Sequence, residues 1–480
     1  MPKITKSDRD KNSTVVVKTN TTKMTPNRQF KWWEADSKKD RSSQLIETAA
    51  YLKEQQQYRY RQAGVLARLY GNMPLMNIAG SNLSKMNIGN NLPLDRPTMN
   101  VIQSCVDTLV SRVTQSRPRP IFLTDNADYK QRNLAKQMNN FTQGELYQTK
   151  AYEKAAIMLR DACVLGNGIL KVYEDSNKRV ALDRVIETEL LVDPVDGLYG
   201  EPRQLYQFKL VDRGVLANAF PEYRSSIAKA EQAYPDNSAE ATKTVSDQVM
   251  VVEGWRLPSS KDSGDGRHMI SCSAGPILDE EWKKSKFPFV FLGYSPRILG
   301  FWSQGLAEQL MGTQVEINQL LMTISKSINL VGVPRVFVED GSKVVKAHQN
   351  NQIGAIVTYR GTKPIYEVAP CMPQEVYAQL QRLVEYAYQQ SGVSALSAAA
   401  QKPAGLNSGE AIRNYDDLQS DRFAALVRRY DNVFIDLAYQ IIDLAKEIAE
   451  RDGKYTTVYP NKNGTKEIDL PAAKMLEDTY

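Results

Sequence analysis

Residues 301–330 read FWSQGLAEQLMGTQVEINQLLMTISKSINL, and how the chain leaves and returns through this stretch decides the architecture. Leu306, Leu310, Ile317, Leu321, Ile324 and Ile328 fall in steps of three, four or seven, one stripe of a 3.6-residue period. The spacing predicts a helix over 303–330. Val331-Gly332-Val333-Pro334 stops it, because proline pushes the preceding residue out of the helical region. Residues 331–373 carry β-like runs, Arg335-Val336-Phe337-Val338 and Ala355-Ile356-Val357-Thr358-Tyr359, with Asp340-Gly341 and Arg360-Gly361 turns. Val376, Leu380, Leu383 and Ala387 restore the helical period over 374–390. The next stretch, SGVSALSAAAQKPAGLN at 391–407, commits to neither helix nor strand. An Asn407/Ser408 cap with Glu410 close behind opens a helix over 408–451, with Leu426, Tyr430, Val433, Leu437, Ile441, Leu444 and Ile448 on its apolar positions. Unbroken, it would span roughly 60 Å.

Upstream, residues 43–302 begin as helices and continue as strands. Helical segments are expected at Ser43–Tyr70, Asn100–Gln115, 127–147 and 152–164, with a polar loop from Gly71 to Arg96. Gly166-Asn167-Gly168 lies between a helix and a strand, the reverse of a phosphate-cradling order, so it reads as a helix stop and tight turn. Strands are expected at Ile169–Tyr173, Arg179–Val185, Glu189–Val192, Leu205–Leu210, Val249–Arg256, His268–Ala274 and in the aromatic run Phe287–Tyr294. Asp193-Pro194-Val195-Asp196-Gly197 is a turn rather than a metal-binding carboxylate pair, since proline and glycine occupy turn positions and no third ligand is suitably spaced. Residues 452–480 have room for a hairpin and little more.

The chain has 480 residues, 42% hydrophobic and 24% charged, with a formal charge of +6. Residues 1–43 hold eleven Lys/Arg against five Asp/Glu, which accounts for that whole excess, and the remainder is neutral. A uniformly basic nucleic-acid-binding surface is therefore excluded. Residues 1–42 read as a flexible basic arm: either a solvated tail or, given Trp32-Trp33, a strap over an adjacent subunit or a contact with DNA or capsid. No run of about eighteen apolar residues predicts a membrane span. Cys105, Cys163, Cys272 and Cys371 lie far apart and read as reduced thiols. There is no G-x-x-x-x-G-K-[ST] and no H-E-x-x-H, and His268 and His348 are the only histidines. Neither an ATPase, a metalloenzyme nor a nuclease finds its residues here, so no cofactor, metal or catalytic residue is expected.

What the sequence does supply is a nearly uncharged stretch. Between Gly305 and Asn329 the charged residues are Glu308, Glu316 and Lys326, and between Gln390 and Ser408 the one charge is Lys402. Each phosphate neutralised by a protein cation adds a sequence-independent hold on DNA. A groove that grips duplex wants many cations; a conduit through which it slides wants hydrogen-bonding walls with few.

The order helix, β tip, helix, small-residue loop and long helix, entered through Phe301, Trp302, Gly305, Glu308, Gln314 and Asn318, resembles the portal protein of tailed bacteriophages over roughly residues 43–450. The resemblance implies an α+β portal fold: a mixed wing (43–302), outgoing stem helix (303–330), clip (331–373), returning stem helix (374–390), tunnel loop (391–407), long wing helix (408–451) and a minimal crown (452–480). It implies a ring of twelve copies at one capsid vertex of the virion, assembled in the host cytoplasm and passing double-stranded DNA inward and out again. Its partners would be the terminase motor, tail adaptor proteins, and the major capsid and scaffolding proteins, with no membrane. On that frame Ser397, Gln401 and Lys402 are expected in the DNA-facing loop, and Gln314, Asn318 and Lys326 along the channel. Arg335, Lys343, Lys346, Arg360 and Lys363 would form the basic clip surface for terminase or adaptor. The rival readings are another head–tail adaptor or structural virion protein, and a nucleic-acid enzyme.

Overall fold

The computed structural model describes residues 31–72, 98–123, 129–232, 247–260, 263–332, 335–337, 365–367, 373–393, 423–461 and 464–469. In chain order the helical part is α1 (Lys38–Gln55), α2 (Gln57–Gly71), α3 (Val101–Val113), α4 (Tyr129–Gln148) and α5 (Ala151–Leu165). The mixed part follows with β1 (Asn167–Glu174), β2 (Val180–Val185), β3 (Leu190–Leu191), β4 (Gln204–Asp212), α6 (Arg213–Ala219), α7 (Arg224–Ile227), β5 (Gln248–Arg256), β6 (Arg267–Cys272), β7 (Gly275–Glu281) and β8 (Phe289–Gly293). Then come α8 (Leu306–Gly332), β9 (Arg335–Phe337), β10 (Ile365–Glu367), α9 (Gln374–Ser391), α10 (Ala424–Asp452), β11 (Thr456–Asn461) and β12 (Gly464–Asp469). This mixture of helix and strand fits the α+β expectation.

The main core lies among α3, α5, the start of α8 and α10. Ile102, Cys105, Val106 and Leu109 of α3, Met158, Leu159 and Ala162 of α5, and Phe434, Leu437 and Ile441 of α10 belong to one buried cluster. The buried stripe of α10, Leu426 to Ile448, is covered by its own chain. The two larger sheets are antiparallel. One has the order β2-β1-β8; the other is the meander β3-β4-β5-β6-β7. Strand β5 shows why period-two alternation holds it in place: Val252 and Gly254 face α1 with Tyr206 and Met269, while Val251, Glu253 and Trp255 point the other way. Strand β7 was not expected, because its end, Asp279-Glu280-Glu281, is acidic. Asp279 is nonetheless buried: Arg41 donates to it at 2.9 Å and Arg267 at 2.8 Å, and these guanidinium groups overcome the burial that opposes its charge and keep its pKa low.

Two upstream expectations are corrected. The single helix from Ser43 to Tyr70 is two helices that change direction at Gln56, whose Nε2 donates to Val192 O at 2.6 Å. The basic arm also ends earlier than residue 42, since α1 begins at Lys38 with Ser37 Oγ accepting from Asp40 N. Trp32 is fully buried, its Nε1 donating to Tyr206 Oη at 3.2 Å among Leu45, Leu52 and Val252. Trp32 thus packs on its own chain's sheet rather than strapping a neighbour.

Helices α8 and α9 run against one another, and β9 pairs antiparallel with β10 where they part. Helix α8 runs on through Gly332 and stops before Pro334. After α10, β11 pairs with β12 as a hairpin that lies on α4, where Tyr455 Oη donates to the buried Glu145 at 3.3 Å and accepts from Val180 N at 3.1 Å. The strand expected at 355–359, the Asn407/Ser408 cap and the first part of the 408–451 helix lie outside the described residues, as do Cys371 and His348.

A charged cluster joins the two sheets. Lys171 of β1 reaches across to Glu253 of β5 at 2.5 Å and to Gln207 Oε1 of β4 at 3.1 Å. His268 of β6 stacks flat on Trp255, with Glu253 Oε1 3.0 Å from Nε2 and Glu280 Oε1 2.7 Å from Nδ1. Burial alone would disfavour the imidazole proton, but carboxylates beside both ring nitrogens outweigh it and raise the pKa. Burial likewise opposes the charge on Glu253, yet Lys171 and His268 hold its pKa down to about 2. A carboxyl depressed from 4.5 contributes stability above that pH and loses it as pH falls toward about 2. Lys171→Met leaves Glu253 short of its main cation and costs about 3–5 kcal/mol. It also moves the onset of acid unfolding to higher pH, measured by circular dichroism during acid titration; an unchanged acid midpoint would contradict this account.

Candidate functional site

The helix pair α8/α9 is aimed by a junction at its root. Helix α5 ends at Gly166, whose φ of +121° suits glycine, and Tyr294 N donates to Gly166 O at 2.9 Å. The chain then doubles back through a Ser295–Gln304 bridge and enters α8 at Gly305. A Cβ at residue 305 would stand 2.9 Å from Cys163 O and Val164 O, so backbone meets backbone here. The Arg59 guanidinium lies 3.6 Å from the centre of the Trp302 ring and donates to Glu187 O at 2.9 Å and Leu190 O at 2.8 Å. Glu187 is buried, pairs with Arg59 at 3.5 Å and accepts from Asn167 N at 3.0 Å. Burial pushes its carboxyl up to about 7, against the pull of Arg59 and Asn167. Nothing in the sequence marks residues 59, 187 and 302 as neighbours. Glu308, in the first turn of α8, is held by both oxygens to Arg297 Nη2, at 2.7 and 2.9 Å.

One turn further along, the expected channel-lining residues separate. Gln314 is 3% exposed. Its Oε1 accepts from Val101 N at 2.9 Å and Ile102 N at 3.3 Å, and its Nε2 donates to Met99 O at 2.6 Å and Asn318 Oδ1 at 3.0 Å. It supplies an acceptor to the first N–H groups of α3, which no helical carbonyl can satisfy. Asn100 completes the join, capping α3 through Gln103 N at 3.0 Å and donating to Leu69 O and Tyr70 O at the end of α2. Gln314 thus spends its amide inside the chain, and Asn318 is half-buried beside it. The face that α8 does expose carries Gly312, Glu316, Gln319, Thr323 and Lys326, at alternating spacings of four and three. The apolar stripe separates Gln314, which fills the seven-residue step between Leu310 and Ile317, from Gln319, which lies off it; residue type alone does not. On the inner side, Leu380, Leu383, Val384 and Tyr388 of α9 pack toward the core, and Gln390 Nε2 donates to Gln309 O at 3.0 Å.

The family model described as phage SU10 portal protein matches residues 210–459, just over half of the chain. The chain belongs to the phage portal protein family. No curated protein matches it. The matched segment takes in α8, the β9–β10 tip, α9 and α10 of this portal protein. Of the remaining expected site residues, Lys326 is exposed on α8 and Arg335 opens β9. Lys343, Lys346, Arg360 and Lys363 lie outside the described residues, as do Ser397, Gln401 and Lys402. Among the described residues no group of three or more His, Cys, Asp or Glu is placed to hold a metal, and no helix is long and apolar enough to cross a membrane.

Gln314→Leu strands the buried Ile102 N–H and leaves the Val101 N–H with Met99 O alone, at 3.2 Å. The expected cost is about 2–4 kcal/mol. Amide hydrogen exchange at the start of α3 measures it; protection unchanged from the parent would remove Gln314 from this role.

Proposed function

We propose that this portal protein forms a ring of twelve at one capsid vertex, through which double-stranded DNA enters during packaging and leaves on ejection. Terminase would hold the β9–β10 end of the helix pair, tail adaptors would replace it afterwards, and the capsid and scaffolding proteins would surround the wing. The role is mechanical and structural, in the virion, with nucleotide hydrolysis left to the motor. The family match over the segment that holds the helix pair carries this reading. The exposed face of α8 supports it: Gln319 and Thr323 are uncharged, and Glu316 and Lys326 cancel. Twelve such faces around a hole would offer duplex hydrogen bonds and little net charge. Against a plain adaptor stands the out-and-back helix pair with a paired β tip.

Electron micrographs of the purified full chain test the ring directly, with rings holding a central hole expected and solitary globules overturning the proposal. In assembled rings, Gln319→Arg with Thr323→Arg would add twenty-four cations, if twelve copies assemble, to the wall. Packaged DNA length per unit time is then expected to fall at least tenfold, with the deficit relieved by added salt. A packaging rate equal to the parent's would show that this face does not meet the DNA.

We further propose that Lys402, the single charge between Gln390 and Ser408, faces the phosphates from the 391–407 loop. Lys402→Ala is expected to leave ring assembly intact while changing packaging or retention of DNA. Normal packaging together with normal retention would exclude Lys402 from the DNA path.

A further inference from the structure

The turn at 193–200 has its polarity inside out. Asp193 Oδ1 accepts from Val195 N at 2.8 Å and Asp196 N at 3.1 Å, while Asp196 Oδ2 accepts from Arg203 N at 2.7 Å and Gln204 N at 2.9 Å. Asp193 makes an ordinary Asx-turn and Asp196 adds two further backbone bonds, so the turn's main chain is held in one conformation. What faces out is Val195, 81% exposed, and Tyr199, 88% exposed, with Leu198 beside them. A second loop adjoins it: Gly300 N donates to Leu198 O at 2.8 Å, and this loop carries Ile298, 100% exposed, and Leu299. Two rigid loops thus present five large apolar side chains as one knob, an arrangement that marks a contact surface.

A second apolar run stands elsewhere on the wing, where Ile121 is 68% and Leu123 87% exposed. Helix α5 relates the two. Pro118, at the base of the run, accepts from Tyr152 Oη in the first turn of α5 at 2.8 Å. The 295–304 loop is anchored at the other end, where Tyr294 N meets Gly166 O. Along α5 those anchors are about 21 Å apart. Two different patches set apart in this way suit a head-to-tail contact, the kind that closes into rings; a two-fold contact would use one patch twice. Their charges also complement one another. Asp193, Asp196 and Glu201 flank the knob, with Arg203 among them and Arg297 neutralised by Glu308, whereas the exposed Arg117 and Arg119 precede the run, with Asp125 and Asp128 after it in sequence.

We infer that the knob of Val195, Leu198, Tyr199, Ile298 and Leu299 seats on the Ile121–Leu123 run of the next copy of this chain. This rests on the ring reading above and names the wing surfaces that build it. Oligomer mass of the purified full chain is the first measurement, for the parent, for Tyr199→Asp with Ile298→Asp, and for Ile121→Asp with Leu123→Asp. Each double variant is expected to keep its circular dichroism spectrum and to lower the ring fraction roughly tenfold or more at equal concentration.

The second measurement does not depend on those variants folding. Tyr199→Cys combined with Leu123→Cys and treated with a bismaleimide should give a ladder beyond dimers on a denaturing gel, and each single variant should not. If the parent forms rings, both aspartate variants form them equally and no ladder appears, the inference is overturned while the ring reading stands. Rings that assemble normally but fail to join capsid or tail would overturn it as well, by giving the knob to another protein. A parent that stays monomeric removes the ring reading and the inference together.

Discussion

At residue 305 the chain has room for a backbone and nothing more. The last carbonyls of α5, at Cys163 and Val164, stand where a side chain would begin, and the amide of Gly166 is nearly as close. A helix that enters through such a gap cannot pivot, because its first turn is wedged against backbone that strands β1 and β8 hold in register. The direction of α8 follows from that wedge, and with it the position of α9, the β tip and the exposed polar face. Arg59, flat on Trp302 and bonded to two carbonyls of the wing, keeps the same joint from opening on its other side.

Charge is distributed between the two halves in opposite ways. The sheet-bearing part buries it: Lys171, Glu253 and His268 between the sheets, Arg59 with Glu187 at the root, Arg41 and Arg267 on Asp279. Removing one member of such a cluster leaves the others desolvated and unpaired, which ties the sheets together more by the cost of separation than by net attraction. The described part of α8 has few charges, and Glu308 is already paired at the root.

Much of this was legible in the sequence, and for a definite reason. Apolar stripes on α3, α8, α9 and α10, and alternation in β1, β4, β5 and β6, report a face turned toward other parts of the same chain, which is where most apolar side chains go. The hairpin at the end and the glycine stop after α5 were visible as turn chemistry. Strand β7 was not, because its acidic residues are neutralised by Arg41 from far away in sequence. The break at Gln56 was not, because glutamine continues a helix well unless a distant carbonyl, here Val192 O, claims its side chain. Trp32 looked costly to leave exposed; the sequence could not say that Tyr206 and Leu45 of the same chain would cover it.

The hardest residues to place were polar ones that turn inward. Gln314 and Gln319 are alike in type and lie on one helix, yet the first caps α3 and the second faces out. Asp193 and Asp196 look like a solvated turn, yet they bond backbone and leave valine and tyrosine at the surface. In both places an unsatisfied main-chain group decides the outcome, because leaving it buried and unpaired costs more than moving one amide or carboxylate out of water. Composition along a stretch therefore sets how many polar groups are available, and the free ends of neighbouring helices and turns set how many remain on the surface. For α8 that subtraction removes Gln314 and half of Asn318 from the outer face and leaves Gln319 and Thr323, so the face stays nearly neutral with fewer polar residues making it so.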